Sequence, residues 1–374
     1  MTSIRSWLFA TIALLLGTNL MVASNYQVGG CEPHLQNYTS ISAAVLNVPP
    51  GSTILVCPGT YAEQITISQP LTLKGVTSGN SSDVVITLPP GGSGLIGGTD
   101  DFGFTEAAFV TISAGPVNIS NITVDGSGAN VVENWLIGIL YLDGSSGTVK
   151  EATLRHFSCS SCDFGSVGVW AEGSSSANAV TIENSSFHDI DNSSVVGYGN
   201  NLLTVKGNTM EATYVQIQWL PGGGSITGNV MKGGQGGVVV ESPGTISGNT
   251  ISAMSSGLFD QPGALGGGLS VINNKISDAQ IGISIFANGD SFKSNTITNV
   301  KTAMEFNCYA PTVSSNTIND ATTGFDQVPT SFSGTNSFTN VPTIMTDGCG
   351  ASSPARQASI GRRRPGKPIL PPAK

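Results

Sequence analysis

Charge is scarce in this chain. Asp, Glu, Lys and Arg make up 10% of its 374 residues, and between residues 25 and 350 there is one arginine, Arg155. No stretch carries the 3.6-residue periodicity of a helix long enough to stand alone, which argues against a helical solenoid. The leucine phrase of a leucine-rich repeat is missing, and so is the six-residue period of a left-handed β-helix. The apolar run Leu8–Leu16 is too short and too poorly flanked for a membrane span. A basic body is absent as well. All 24 acidic residues lie in 25–350, against eight basic ones, so nucleic acid is not the expected partner.

What the chain has is glycine, 48 residues of it, and a recurring phrase, apolar-x-x-Asn-x-apolar. The phrase is centred on Asn208, Asn229, Asn249, Asn274, Asn295 and Asn316. Successive asparagines are 21, 20, 25, 21 and 21 residues apart, the period of a solenoid. The two apolar anchors of each copy lie five positions apart. A straight strand would point one of them outward, so the chain must bend between them. Gly-Asn, Ser-Asn or Asn-Asn sits at the bend, and Gly and Asn take positive φ most easily. Stacked coils would then place the asparagine amides in a hydrogen-bonded column. Eight residues after four of these asparagines stand Gly237, Gly257, Gly282 and Gly324, each followed by an apolar residue. Asp260 and Gln327 break the next inward column. These are coils of 20–25 residues without helices. The expected fold is all-β, a single-stranded right-handed parallel β-helix, with a short capping helix over 39–47.

Residues 1–24 read as a secretory signal, with Arg5, the apolar stretch and a small-residue cleavage site at Val22-x-Ser24. The body is expected over 25–350, with 25–60 as cap and opening coil. Residues 351–374, with six basic residues and five prolines, read as a disordered basic tail. Six cysteines in an exported chain suggest disulfides, and the spacing suggests Cys31–Cys57, Cys159–Cys162 and Cys308–Cys349. The set His156, Cys159, Cys162 and His188 also has zinc-ligand residue types, but a Cys159–Cys162 disulfide is the preferred reading and no metal site is assigned. A secreted or periplasmic location, no transmembrane span and a monomer are expected.

The run Pro49-Pro-Gly-Ser-Thr-Ile54-Leu-Val56-Cys-Pro58-Gly-Thr-Tyr61-x-Glu63, followed by Ile65-x-Ile67 and Leu71-x-Leu73-x-Gly75, resembles the opening coil of the pectin-lyase-like superfamily. With the asparagine repeats, the chain resembles exported bacterial right-handed β-helix repeat proteins over nearly all of 31–340. The resemblance implies the fold. It leaves function open, because this fold hosts lyases, hydrolases, esterases, epimerases and non-enzymes. No enzymatic signature of the superfamily is complete. The Gln-Asp-Thr and Gly-x-Arg-Trp of pectin methylesterases and the Gly-His-Gly of polygalacturonases are missing, and so is the Asp-Pro-His of alginate epimerases. A lone Arg155 leaves few candidates for a lyase base.

Register nevertheless defines an outward stripe. Positions ten and twelve after each asparagine should face out, giving Gln218, Glu241, Phe259, Gln261, Phe286, Glu305, Asn307 and Asp326. Upstream, Trp170, Glu172 and Tyr198 fall on or near it. Aromatic rings beside carboxylates and amides suit a sugar chain. Glu305 and Asp326 fall in one column on consecutive coils. That suits a close acid/base pair of the retaining type or a pair of calcium ligands. No other cofactor is expected. The function read from the sequence is binding, with or without modification, of an extracellular polysaccharide. If catalytic, the protein would be a lyase, glycoside hydrolase or epimerase. The alternative is a non-catalytic, adhesin-like surface or matrix solenoid.

Overall fold

The computed structural model describes residues 23–76, 84–90, 95, 97–99, 103–129, 131–212, 214–219, 222–241, 243–253, 255–260 and 267–349. Gln261, residues 1–22 of the expected secretory signal and the expected basic tail 351–374 lie outside the described residues. Among the described residues strand pairing is parallel, apart from Gly97–Thr99 against Thr105–Ile112. Each coil contributes a strand to three sheets, and each strand pairs with the equivalent strand one coil away. The first sheet runs through Thr53–Val56, Leu71–Gly75, Val117–Ser120 and Gly147–Lys150 to Thr312–Ser314. The second runs through Gly59–Ala62, Val84–Thr87, Thr123–Asp125, Thr153–Phe157 and Ser186–Ile190 to Ser337–Thr339. The third runs through Ile65–Ile67, Thr105–Ile112 and Trp135–Tyr141 to Thr343–Met345.

The bend between the first and second sheets is where the sequence phrase lies. Its left-handed residue immediately precedes each asparagine: Gly207, Gly228, Gly248, Asn273, Ser294 and Ser315 have φ between 55 and 66. Both apolar anchors therefore turn inward, as with Ile246 and Ile251. The asparagines are buried and form one ladder. Asn229 donates through its backbone N and its Nδ2 to Asn249 Oδ1, both at 2.9 Å, and Nδ2 also reaches the Val205 carbonyl at 2.9 Å. The same three bonds recur from Asn208 to Asn316. Asn336, in the irregular last coil, continues the ladder by accepting from Asn316. Ser185 begins it by donating its backbone N–H to Asn208 Oδ1. Every asparagine amide of this ladder from Asn208 to Asn316 is thus satisfied, as burial demands.

The glycine column serves close packing. A Cβ on Gly257 would stand 2.3 Å from Ile276 Cγ2 and 2.7 Å from the Gly282 carbonyl oxygen. Only a very small residue lets the coils approach there, and Ala303 takes the place one coil beyond Gly282.

The N-terminal end is covered by the helix Ile41–Asn47, which buries Ile41, Ala44 and Val45. Ser40 caps it, its Oγ accepting from Ala43 N at 3.1 Å. Glu63 accepts from Ile41 N and Ser42 N at 2.9 Å, and from Ser42 Oγ at 2.6 Å. A carboxylate from the opening coil therefore satisfies the first-turn N–H groups. The disulfides Cys31–Cys57, Cys159–Cys162 and Cys308–Cys349 are formed, and no cysteine is free. No helix among the described residues is long and apolar enough to cross a membrane.

Candidate functional site

The expected stripe maps onto the outer face of the third sheet. Its upstream part is not a solvent surface. Trp170 is only 1% exposed and packs with Ala108, Trp135, Ile137, Leu140, Val167 and Val196. Phe104 and Phe164, from the segments leading into two of these strands, close over them. The Trp135 ring lies 5.1 Å from Phe164 and 4.9 Å from Trp170. The exposure expected for Trp170 is therefore corrected: this face is a second apolar core. A signal was present. The strand Trp135–Tyr141 is apolar at every position but Gly138, and it is buried throughout. Parallel strands covered on both faces read as unbroken apolar runs.

The middle of the stripe is also largely covered. Phe259 is 6% exposed and packs on Val215 and Val239, with Tyr214 and Phe286 beside it. Gln218 is 3% exposed, and its Nε2 donates to Asn192 Oδ1 and Ser193 Oγ at 2.9 and 2.6 Å. Gln218 is thus a structural amide and not a surface contact. Glu172, Tyr198 and Glu241 remain partly exposed, and Glu172 pairs in register with Tyr198 on the next coil.

Downstream, the face opens. Ser284, Glu305 and Asp326 occupy one register column on three consecutive coils. Ser284 Oγ donates to Glu305 Oε2 at 3.0 Å, and Gln327 Nε2 reaches Glu305 Oε1 at 3.4 Å. Asp326 accepts from the Thr346 hydroxyl and from Gln327 N. Asn307 donates to Ser284 Oγ and the Ile285 carbonyl. Glu305, Asn307 and Asp326 are all half-buried. Phe259 heads this column in register with Ser284, and Phe286 and Tyr309 border it, with centroids 5.3 Å apart for Phe259–Phe286 and 6.3 Å for Phe286–Tyr309. Tyr309 was not anticipated. It follows the left-handed residues Asn307 and Cys308, so counting along a regular strand misses it.

Asp260 and Asp290 were also missed as a pair. Burial pushes the Asp260 carboxyl up to about 8, helped by the charge of Asp290, and burial raises Asp290 too. The two carboxyls hydrogen-bond to each other, so one carries a proton. Asp260 Oδ2 accepts from Phe286 N at 3.1 Å, and Asp290 Oδ1 accepts from Leu269 N at 2.9 Å. This pair pins the turn that carries Phe286. The break that Asp260 makes in its inward apolar column was its visible signal. Asp290 lies in a loop outside any repeat.

On the second sheet, Arg155 Nε binds Asp125 at 2.8 Å, a structural ion pair. Burial would raise the Asp125 carboxyl, but hydrogen bonds from Ser127, Arg155 and His156 hold it at about 2. The Cys159–Cys162 disulfide removes both thiols from any zinc site built on them.

No known protein family and no curated protein matches the chain. Solved structures do. The A-module of a mannuronan C-5 epimerase from Azotobacter vinelandii superposes with a TM-score of 0.54 at 15% identity, covering 82% of this chain and 90% of its own. A family 28 exopolygalacturonase from Yersinia enterocolitica gives 0.51 at 12% identity, covering 83% and 75%. XylC, solved with xylose, gives 0.51 at 9% identity, covering 84% and 86%. This chain has the right-handed parallel β-helix, pectin-lyase-like fold. Such identities establish the fold and leave activity to the residues of the site.

Proposed function

We propose that this is a secreted protein that binds an extracellular polysaccharide on the downstream outer face of its third sheet. The observation that carries the reading is the half-buried pair Phe286 and Tyr309 beside the column Ser284, Glu305, Asp326. Aromatic rings stack on the apolar faces of sugars, and carboxylates and amides take their hydroxyls. Coils repeat about every 4.8 Å, so such a face can follow a polymer. Three disulfides suit an oxidising compartment outside the cytosol, and residues 1–24 supply the export signal. Within this reading Glu305 and Asp326 would act either as an acid/base pair or as ligands for a calcium ion bridging to the glycan.

The structural neighbours are named for mannuronan and polygalacturonase activities, so polyuronates are the first ligands to test. The test is affinity electrophoresis of the exported protein in gels containing mannuronan, polygalacturonate or a neutral glucan, with and without calcium. Product analysis of the same polymers would accompany it. Retardation in a polyuronate supports binding, and new reducing ends, double bonds or epimers would add catalysis. A second reading, a non-catalytic scaffold, draws on the hydrogen bonds that already occupy Glu305 and Asp326. Neither retardation nor products in any polymer would favour it.

A further inference from the structure

The outer face of the second sheet carries a constellation that the glycan reading does not use. His156 and His188 lie on consecutive coils, their rings edge to face at 5.9 Å. Asp189 Oδ2 stands 3.5 Å from His156 Nε2 and 3.3 Å from His188 Nδ1. One donor atom from each of the three residues falls within 4.8 Å of the others. An ion bound tetrahedrally by such ligands at about 2.0–2.1 Å would hold its donors roughly 3.3–3.4 Å apart. Two of the three edges already have that length, and a ring rotation would close the third.

We propose that His156, His188 and Asp189 bind a divalent transition-metal ion of the zinc type, with a fourth position open to solvent.

Local backbone explains how the residues meet. His156 and Asp189 occupy the same bend at the end of the second-sheet strand, with φ of 58 and 55. His, Asp and Asn are the non-glycine residues that tolerate this region best. Farther along the solenoid the bend is filled by Asp278, Asn299, Asp320 and Asn340, all with φ between 53 and 60. There the column satisfies itself: Asn299 donates to Asp278 at 2.7 Å and Asn340 to Asp320 at 2.8 Å. At residues 156 and 189 the amide donor is replaced by an imidazole, with a second imidazole alongside.

A second observation concerns the orientation of His156. Its Nδ1 lies 3.1 Å from Asp125 Oδ1, while Arg155 holds the other Asp125 oxygen. A carboxylate accepting from Nδ1–H fixes the tautomer that leaves the Nε2 lone pair facing Asp189. Carboxylates commonly orient metal-binding histidines in this way. Two imidazoles and one carboxylate suit zinc, copper or nickel better than the oxygen-seeking calcium and magnesium. His156 and Asp189 have side-chain exposures of 43% and 67%, so an ion can enter and the open position can take water or a ligand oxygen. The site lies on the second sheet and stands or falls separately from the glycan face on the third.

The experiment is calorimetric titration of the tag-free, chelator-stripped full chain with ZnCl2, repeated in excess CaCl2. One equivalent of zinc is expected, undisturbed by calcium. His156→Ala and His188→Ala should each weaken it at least tenfold, and Asp189→Asn should weaken it too. His34→Ala, which changes the remaining histidine, should leave it unchanged. Cobalt(II) absorption provides a second readout: the visible bands of a low-coordinate site should form on the wild type and vanish in His156→Ala. Zinc affinity unchanged in both cluster histidine variants, or zinc displaced by calcium, would overturn the proposal.

Discussion

Asn229 and Asn249 are joined by two hydrogen bonds to one oxygen, since both the backbone N and the side-chain Nδ2 of Asn229 donate to Asn249 Oδ1. That junction repeats down the bend between the first two sheets, so each asparagine is both donor and acceptor for its neighbours. Removing one member orphans two donors and a carbonyl in the preceding coil.

Asn249→Ala should therefore destabilise the fold by about 2–4 kcal/mol, because buried donors left unpaired cost about 1–3 kcal/mol each. Asn249→Asp keeps the acceptor, loses the donor to Ile226 O and buries a charge. It should lose at least as much stability at neutral pH. Urea unfolding of the two variants checks this. Less than about 0.5 kcal/mol of loss for the alanine variant would mean that the ladder is decorative.

Asp260 predicts a pH dependence. Its folded value is raised from 3.8 to about 8. A raised acid favours the protonated fold, so its contribution to stability is complete below about 4 and is lost as pH climbs through 8. Asp260→Asn mimics the neutral acid and can still accept from Phe286 N. The variant should melt higher relative to wild type at pH 9 than at pH 5. An equal difference at both pH values would show that Asp260 does not carry the proton.

Glu63 should matter more than an ordinary surface acid. Its carboxylate accepts three hydrogen bonds from Ile41 and Ser42 at the start of the capping helix. Hydrogen bonds to charged groups contribute about 1.5–3 kcal/mol, so Glu63→Ala should cost roughly 2–3 kcal/mol and expose the helix to proteolysis. Hydrogen exchange at Ala43 and Ala44 gives the local readout, and unchanged protection there would contradict the assignment.

Much of the fold was legible because it repeats. The asparagine spacing, the five-residue separation of its anchors and the glycine column each encode a buried contact between neighbouring coils. Pairing between coils depends on residues about twenty positions apart, so one copy of the phrase predicts the next. The site was less legible. Register correctly placed Glu305 opposite Asp326, because that too is a coil-to-coil relationship. It could not say that Trp170 and Phe259 are covered. Covering depends on residues such as Phe104, Phe164 and Tyr214, which lie outside the repeated strands and obey no period. Asp290 and Tyr309 escaped for the same reason. His156 and His188 were visible only as members of a cysteine-containing set, and it is the shared bend that brings Asp189 to His156.

The central functional claim rests on Phe286 and Tyr309. The most direct measurement compares retardation of the wild type with that of Phe286→Ala and Tyr309→Ala in gels containing a polyuronate that retards the wild type, with Trp170→Phe as a buried control. Each aromatic truncation should weaken retention at least fivefold, while the buried control binds like wild type and all variants keep the wild-type circular dichroism. Undiminished retention in both Phe286→Ala and Tyr309→Ala would contradict the account and move the glycan off this face.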